Sequence, residues 1–147
     1  HFQILSPHNV ATRADNPHSC VILVDDGKNS VLLTGDAEAK NEQIFARTLG
    51  KIDVLQVGHH GSKTSTSEYL LSQVRPDVAI ISSGRWNPWK FPHYSVMESL
   101  HRYKSAVENT AVSGQVRVNF FQDRLEIQQA RTKFSPWYAR VIGLSKE

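Results

Sequence analysis

The stretch that decides the fold is residues 32–36, LLTGD, followed after a predicted helix by residues 53–62, DVLQVGHHGS. Each segment is a compact apolar strand that ends in glycine and then in side chains able to bind a metal ion: Asp36 in the first, His59 and His60 in the second. Ligands bind at the carboxyl ends of strands in an open sheet, so side chains placed there can converge on one metal ion. On the residues alone, a helix cap at Asp36 and an ordinary loop at the histidines remain alternatives.

Outward from this stretch, the apolar periodicity predicts alternating strands and helices. Strands are predicted at 19–24, 30–34, 53–57, 77–82, 116–120 and 125–129, and helices at 37–49, 65–74 and 95–106. Ser65 with Glu68, and Ser95 with Glu98, have the spacing of capping boxes at the starts of the second and third helices. The nearly all-apolar strand at 77–82 is typical of a parallel sheet covered on both faces. The pattern predicts a layered α/β architecture.

The amino-acid composition excludes several classes of protein. The chain has 147 residues, enough for one domain, and its 39% hydrophobic and 21% charged content excludes a disordered or collagen-like chain. No apolar stretch approaches the roughly 20 residues of a membrane span. The single cysteine, Cys20, excludes an internal disulfide framework and a four-thiolate zinc site. Because the sequence begins with His1 rather than methionine, the chain is expected to be a fragment of a longer protein.

The positive charge is concentrated near the C-terminus. The net charge is +3; residues 1–100 carry 9 Lys and Arg against 10 Asp and Glu, and residues 101–147 carry 8 against 4. An anionic partner at the C-terminal end would explain this distribution, as would an ordinary solvated basic face. We therefore divide the chain into residues 1–132, the folded part, and residues 133–147, a basic tail.

Taken in order, these motifs resemble a known family. Residues 32–36, residues 53–65 (DVLQVGHHGSKTS) and residues 78–84 with Asn87 and Pro92 resemble the metallo-β-lactamase-fold domain at the C-terminus of ComEC, the DNA-uptake channel family of competent bacteria. The resemblance runs from about Asn16 to Asn119. It implies a layered αββα sandwich, two β-sheets flanked by helices, of which this chain supplies only the C-terminal half.

The resemblance also implies roles for particular residues. Asp36 matches the carboxylate that bridges two metal ions, His60 matches a metal ligand, and His59 matches a catalytic contact to phosphate. Asp15 and His18 are weaker candidates for a further ligand, with a surface turn as the alternative. One or two divalent ions, Mn or Zn, are expected in the complete domain. This chain lacks the family's His-x-His-x-Asp-His motif, so the fragment alone is expected to lack a complete site, and whether it binds any metal by itself is left open.

Two further segments are candidates for contact with phosphate or DNA. Ser62, Lys63 and Thr64 follow the histidine pair, where a hydroxyl and an ammonium group can hold phosphate oxygens. The loop at 84–91 interleaves cations with aromatic rings, a mixture that nucleic-acid grooves use; its candidate residues are Arg85, Trp86, Asn87, Trp89 and Lys90. The alternatives are a solvated Lys63 and tryptophans packed as a hydrophobic lid.

Two functions remain open at this point. The first is a metal-dependent phosphodiesterase or nuclease acting on the non-transported DNA strand. The second is a non-catalytic module that guides single-stranded DNA with a degenerate metal site, which Phe91 favours because relatives often carry histidine at that position. Whether the chain is an enzyme is therefore left uncertain. The resemblance implies single-stranded DNA, a membrane channel in the same polypeptide and the upstream half-domain as partners, with the domain on the periplasmic side of the inner membrane.

Overall fold

The computed structural model describes residues 1–7 and 15–132. Its strands are β1 (Phe2–Ser6), β2 (Val21–Asp25), β3 (Ser30–Leu33), β4 (Val54–Gln56), β5 (Val78–Ile81), β6 (Ala106–Asn109), β7 (Val116–Phe120) and β8 (Leu125–Gln129). Its helices are α1 (Ala39–Phe45), α2 (Glu68–Val74), α3 (Tyr94–Arg102) and α4 (Thr110–Ser113), with short 3-10 turns at Asn16–His18, Ala46–Thr48 and Gly58–Gly61. The predicted tail at 133–147 lies outside the described residues, so its division from the folded part stays a prediction.

Six strands form one sheet in the order β1-β2-β3-β4-β5-β6. The first three are antiparallel, and β3 to β6 are parallel to one another. The carboxyl ends of β3, β4, β5 and β6 therefore share one edge with the amino end of β2. This confirms the predicted α/β class and the expectation that the glycine-ended strands meet at one edge.

One face of this sheet carries the core. Leu32, Leu55 and Ala79 are aligned across β3, β4 and β5, and all three are fully buried. Helices α1, α2 and α3 cover this face, with Phe45, Leu71 and Leu100 among the residues of the same core. Among the described residues, no helix is long and apolar enough to cross a membrane.

The opposite face of the sheet is apolar but only partly covered. The β7–β8 hairpin lies on it and is joined to it by the Gln129 amide, which donates to the Glu108 carboxylate at 2.7 Å. Towards β1 the face is open: Phe2 and Ile4 are 77% and 66% exposed, and Leu33 is 38% exposed. Exposed apolar surface of this kind marks a contact area in most soluble proteins.

The structure confirms six predicted strands and corrects the end of the third helix. The hairpin strands match the predicted bounds of 116–120 and 125–129, whereas β1, β6 and α4 were not predicted. Helix α3 ends at Arg102 rather than near Ala106. Lys104 then takes a left-handed φ of 61°, and the Ser105 hydroxyl donates to the Pro76 carbonyl at 2.8 Å, which turns the chain into β6.

Both predicted capping boxes are wrong. Ser67 caps α2 by accepting from the Leu70 N–H at 3.2 Å, and His93 caps α3 by accepting from the Ser95 N–H at 3.3 Å. The helix cannot begin at Ser65 because Thr66 takes a left-handed φ of 55°. One residue therefore moves each helix start away from its predicted position: Thr66 for α2 and the cap residue His93 for α3.

A buried carboxylate joins α1 to the segment that precedes α2. Glu42 is fully buried, and its carboxylate accepts hydrogen bonds from the N–H groups of Thr66 at 2.5 Å and Ser67 at 2.8 Å. Burial raises the pKa of Glu42 above its ordinary value, and the hydrogen bonds to Ser67 and Thr66 oppose that rise only in part. Glu42 thus fixes the chain just after the histidine turn. Its burial removes the carboxylate from water and so disfavours the charged form.

This geometry predicts a pH dependence of stability. Because the pKa of Glu42 is raised on folding, the folded protein holds a proton that the unfolded chain has released, so stability falls as pH rises from about 4.5 through the folded pKa. Glu42→Gln lacks this titration. In urea unfolding, the free energy of unfolding of wild type relative to Glu42→Gln should fall as the pH is raised above about 4.5. A constant difference across that range would contradict the assignment.

Candidate metal and phosphate site

Four segments meet at the edge formed by the carboxyl ends of the parallel strands. The turn after β3 and the turn after β4 are joined by the His59 N–H, which donates to the Gly35 carbonyl at 2.9 Å. The segment before β2 joins them through the Ser19 hydroxyl, which accepts from the Asp36 N–H at 3.2 Å. The turn after β5 contacts the same place through Ser82. The predicted convergence of the β3 and β4 loops is therefore present.

Hydrogen bonds hold the backbone at Asp36, whereas its carboxylate is free within the described part of the chain. The Gln56 side-chain oxygen accepts from the N–H groups of Thr34 at 3.1 Å and Gly35 at 3.2 Å, which fixes the turn just before Asp36. The cap position of α1 belongs to Glu38, so Asp36 is not the helix cap. Within the described residues, the Asp36 carboxylate makes no hydrogen bond or ion pair, which leaves it available as a ligand.

His59 and His60 lie in a left-handed turn. Their φ angles are 48° and 57°, and both are non-glycine residues in a region that costs about 1–3 kcal/mol per residue. Gly61 follows at φ 84°, where its carbonyl accepts from the His93 N–H at 2.8 Å. Strain of this kind persists only where the surrounding structure holds it, and it clusters at functional sites in many proteins.

The orientation of His60 defines which of its nitrogens is available. Its Nδ1 lies 2.7 Å from the Ser82 carbonyl oxygen. Because a carbonyl can only accept, Nδ1 carries the proton, and in the neutral ring Nε2 carries a free lone pair. Metal-binding histidines commonly donate their second ring N–H to a carbonyl in this way. His60 therefore has the form of a ligand.

The predicted phosphate contacts form a polar group beside the histidines. Thr64 Oγ1 lies 3.5 Å from His59 Nδ1 and 3.1 Å from Ser62 Oγ. The His59 ring stands edge-on to His60 and to Phe91, with centroid distances of 6.4 and 6.1 Å. Lys63 is exposed next to them. The structure brings these side chains together, and their contact with phosphate stays a prediction.

The loop at 84–91 presents its tryptophans to solvent. Trp86 is 82% exposed and Trp89 is 72% exposed, so neither is packed as a hydrophobic lid. Arg85 lies over the Trp86 ring at 5.9 Å, and Trp89 stacks on Phe91 with a centroid distance of 6.3 Å and an interplanar angle of 17°.

Asn87 and Lys90 have different positions in this loop. The Asn87 amide donates to the Gly84 carbonyl at 2.7 Å and to the Phe91 carbonyl at 3.0 Å, and its oxygen accepts from the Phe91 N–H at 2.7 Å. Asn87 thus closes the loop on itself. Lys90 is exposed, with a left-handed φ of 57°.

Asp15 and His18 pair with each other instead of joining Asp36. His18 Nδ1 lies 2.6 Å from Asp15 Oδ1, and both side chains are exposed in the turn before β2. Across residues 1–7 and 15–132, no three His, Cys, Asp or Glu side chains are grouped closely enough to hold a metal ion. The donors that fit are the free carboxylate of Asp36 and the Nε2 of His60, an oxygen and an imidazole nitrogen that suit Mn²⁺ or Zn²⁺.

Several positioning residues were missed by the sequence reasoning. Gln56 is the polar residue at the end of an otherwise apolar strand, and that contrast could have marked it. Ser83 binds the end of β6, because its hydroxyl donates to the Asn109 side chain at 2.8 Å and its N–H donates to Thr110 Oγ1 at 3.0 Å. These bonds fix the turn that carries the Ser82 carbonyl. No sequence pattern could have revealed them, since β6 itself was not predicted.

The match to a protein family agrees with this geometry. Residues 5–85 match the Metallo-beta-lactamase superfamily, and the chain belongs to that family.

The chain is 98% identical over its whole length to Recombination protein 2 of Haemophilus influenzae, of which it covers 19%. It is 38% identical over 121 residues to ComE operon protein 3 of Bacillus subtilis, with 81% of this chain and 16% of that protein covered. It is 32% identical over 139 residues to Competence protein ComA of Neisseria gonorrhoeae, with 92% and 20% covered. These matches confirm the ComEC resemblance, and the chain spans about a fifth of its relatives' length.

The histidine turn should tolerate no side chain at its last glycine. A Cβ on Gly61 would lie 2.6 Å from Pro92 Cβ and 2.9 Å from Pro92 Cα, whereas a Cβ on Gly27 would meet nothing within 4 Å. The φ angles of Gly61 and Gly27 are nearly equal, 84° and 88°, so alanine would introduce about the same backbone strain at both positions. Gly61→Ala should lower the free energy of unfolding by about 2–4 kcal/mol more than Gly27→Ala, measured by urea titration. Equal losses would show that the contact with Pro92 is unimportant.

The ring protonation of His60 can be measured directly. In long-range ¹H–¹⁵N NMR at about pH 8.5, where free imidazole is neutral, His60 should carry its proton on Nδ1. His93 provides an internal control of opposite form, since its Nδ1 accepts from the Ser95 N–H and its proton must be on Nε2. A His60 spectrum like that of His93 would contradict the assignment of Nε2 as the free ligand atom.

Proposed function

We propose that this chain is part of a metal-dependent phosphodiesterase domain, a nuclease that degrades the non-transported strand in a DNA-uptake protein. The observation that carries the proposal is that the Gly35–His59 hydrogen bond joins the turn bearing a free Asp36 carboxylate to the turn bearing His60, whose Nδ1 is bound to Ser82. Membership of the Metallo-beta-lactamase superfamily supports the metal chemistry. The competence names of two relatives support a role in DNA uptake.

The residues of this chain have distinct roles in the proposal. Asp36 and His60 would hold one or two divalent ions, Mn or Zn. When bound, the ions would supply Lewis-acid polarisation of the phosphodiester and activation of the attacking water. His59 and Thr64 stand within 3.5 Å of each other and can donate hydrogen bonds to non-bridging phosphate oxygens. The exposed ammonium of Lys63 adds positive charge where the phosphate would lie.

Another part of the polypeptide would complete the site. Two ligands are too few for a catalytic metal centre, which needs at least three protein ligands. The exposed apolar face at Phe2, Ile4 and Leu33 offers a contact area for a second sheet, which the upstream half-domain would supply. In the same proposal, a membrane channel in the same polypeptide carries the domain on the periplasmic side of the inner membrane.

A second candidate function is guidance of single-stranded DNA without cleavage. It is favoured by the exposure of Trp86 and Trp89 beside the cations of Arg85 and Lys90. Exposed rings and cations bind strands by stacking and charge without any metal. The presence of Phe91 in place of a polar side chain also fits a site that has lost catalysis.

Cleavage of single-stranded DNA distinguishes the two functions. In a polypeptide that carries this chain at the full length of its relatives, Mn²⁺ should support cleavage of an end-labelled strand, and a chelator should abolish it. Asp36→Asn and His60→Ala should each reduce the rate about a hundredfold or more, because a catalytic metal is worth several kcal/mol. Asp123→Asn and His101→Ala, exposed residues of the same types away from this edge, should cleave at the wild-type rate.

Two results would overturn the nuclease proposal. One is cleavage that survives both Asp36→Asn and His60→Ala. The other is absence of cleavage together with strand binding that the chelator does not change, which would leave the guiding module.

A further inference from the structure

A pocket of about 420 Å³ opens between the carboxyl end of β5 and the loop at 84–91. Its lining includes His60, Ser82, Gly84, Trp89 and Phe91, and we refer to it as the Trp89 pocket. The volume is at the small end of the range for ligand pockets, about 300–1,000 Å³, and suits one aromatic ring system rather than a base pair.

The Trp89 pocket has a preformed stacking surface. Trp89 is 72% exposed, yet its ring is oriented by a nearly parallel stack on Phe91. The three hydrogen bonds of the Asn87 side chain hold the loop in this shape. A ring fixed before binding loses little conformational entropy on contact, which favours a planar aromatic ligand.

The pocket also has polar groups at its edge. Ser82 is exposed, and its hydroxyl makes no hydrogen bond within the described part of the chain. Such a hydroxyl can donate to or accept from the edge of a base. Lys90 and Arg85 are exposed in the same loop and add positive charge near the opening. Aromatic stacking, a polar edge and nearby cations together match a nucleotide better than an uncharged apolar ligand.

The pocket shares a residue with the candidate metal site. His60 lines it and belongs to the histidine turn, which is joined to the Asp36 turn by the hydrogen bond from the His59 N–H to the Gly35 carbonyl. We propose that the Trp89 pocket receives one unpaired nucleobase of the DNA strand, so that the phosphate attached to that nucleotide lies beside Asp36 and His60. This inference rests on the proposed phosphodiesterase function and adds a base subsite to it. Because the base must be unpaired to enter, the pocket selects single strands over duplex.

Abasic substitution tests the pocket one position at a time. The probe is a fluorescein-labelled thymidine strand of about twelve nucleotides, intact or with one abasic nucleotide at each position in turn. Binding is measured by anisotropy, with a chelator present to prevent cleavage, in the full-length polypeptide described above. An abasic site at one position should weaken wild-type binding about tenfold, because the stacked base is lost.

Variants of the two exposed tryptophans separate the pocket from general stacking. Trp89→Ala should weaken binding of the intact strand about tenfold and remove the effect of the abasic position, whereas Trp89→Phe should keep that effect. Trp86→Ala is the matched control, because Trp86 is also largely exposed in the same loop but does not line the pocket. It should weaken binding without removing the effect of the abasic position.

Failure of the pocket and failure of the nuclease give different results. If no abasic position weakens binding to a protein that still cleaves the strand, the base subsite is wrong and the phosphodiesterase stands. An abasic effect that persists in Trp89→Ala would also overturn the subsite. If the strand is neither cleaved nor bound, the proposed function fails and the inference fails with it.

Discussion

The parallel pairing of β3, β4 and β5 is the constraint on which the rest of the structure depends. It aligns Leu32, Leu55 and Ala79 in one buried row, and the same register brings the three following turns to one edge. A slip of one residue in the strand register would move each apolar side chain to the opposite face. Several buried side chains of leucine size would then lose their burial in the core. The burial of the core thus fixes the meeting of Asp36 with the histidine turn, although no core residue takes part in the chemistry.

The site is built from backbone hydrogen bonds more than from contacts between its own side chains. Gln56 fixes the turn before Asp36, Glu42 fixes the segment after the histidines, and Ser82 orients His60. These bonds sustain a turn with two left-handed histidines that would be unfavourable by itself. The Asp36 carboxylate and the His60 Nε2 are consequently left free, because the groups that hold these residues in place act on the backbone or on the other ring nitrogen.

Much of the fold, and the meeting of the Asp36 turn with the histidine turn, could be predicted from the sequence. The strands at 116–120 and 125–129 alternate clearly, and the glycine-ended strands carry Asp36 and the histidine pair at positions that the parallel sheet brings together. Strand β6, AVEN, was missed because four residues with a glutamate have no clear period. The helix starts were misplaced because a left-handed Thr66 and a histidine cap leave no pattern in the sequence. Gln56 and Ser83 act through long-range hydrogen bonds, which sequence spacing cannot reveal.

The central claim is that Asp36 and His60 hold metal once the rest of the polypeptide is present. Elemental analysis of the full-length polypeptide, loaded with manganese or zinc and then freed of excess metal, tests it most directly. The account predicts one or two ions per chain in wild type, as in sites where metals clamp a phosphodiester, and loss of metal in both Asp36→Ala and His60→Ala. Absence of bound metal under both loadings, or equal metal content in wild type and both variants, would contradict it.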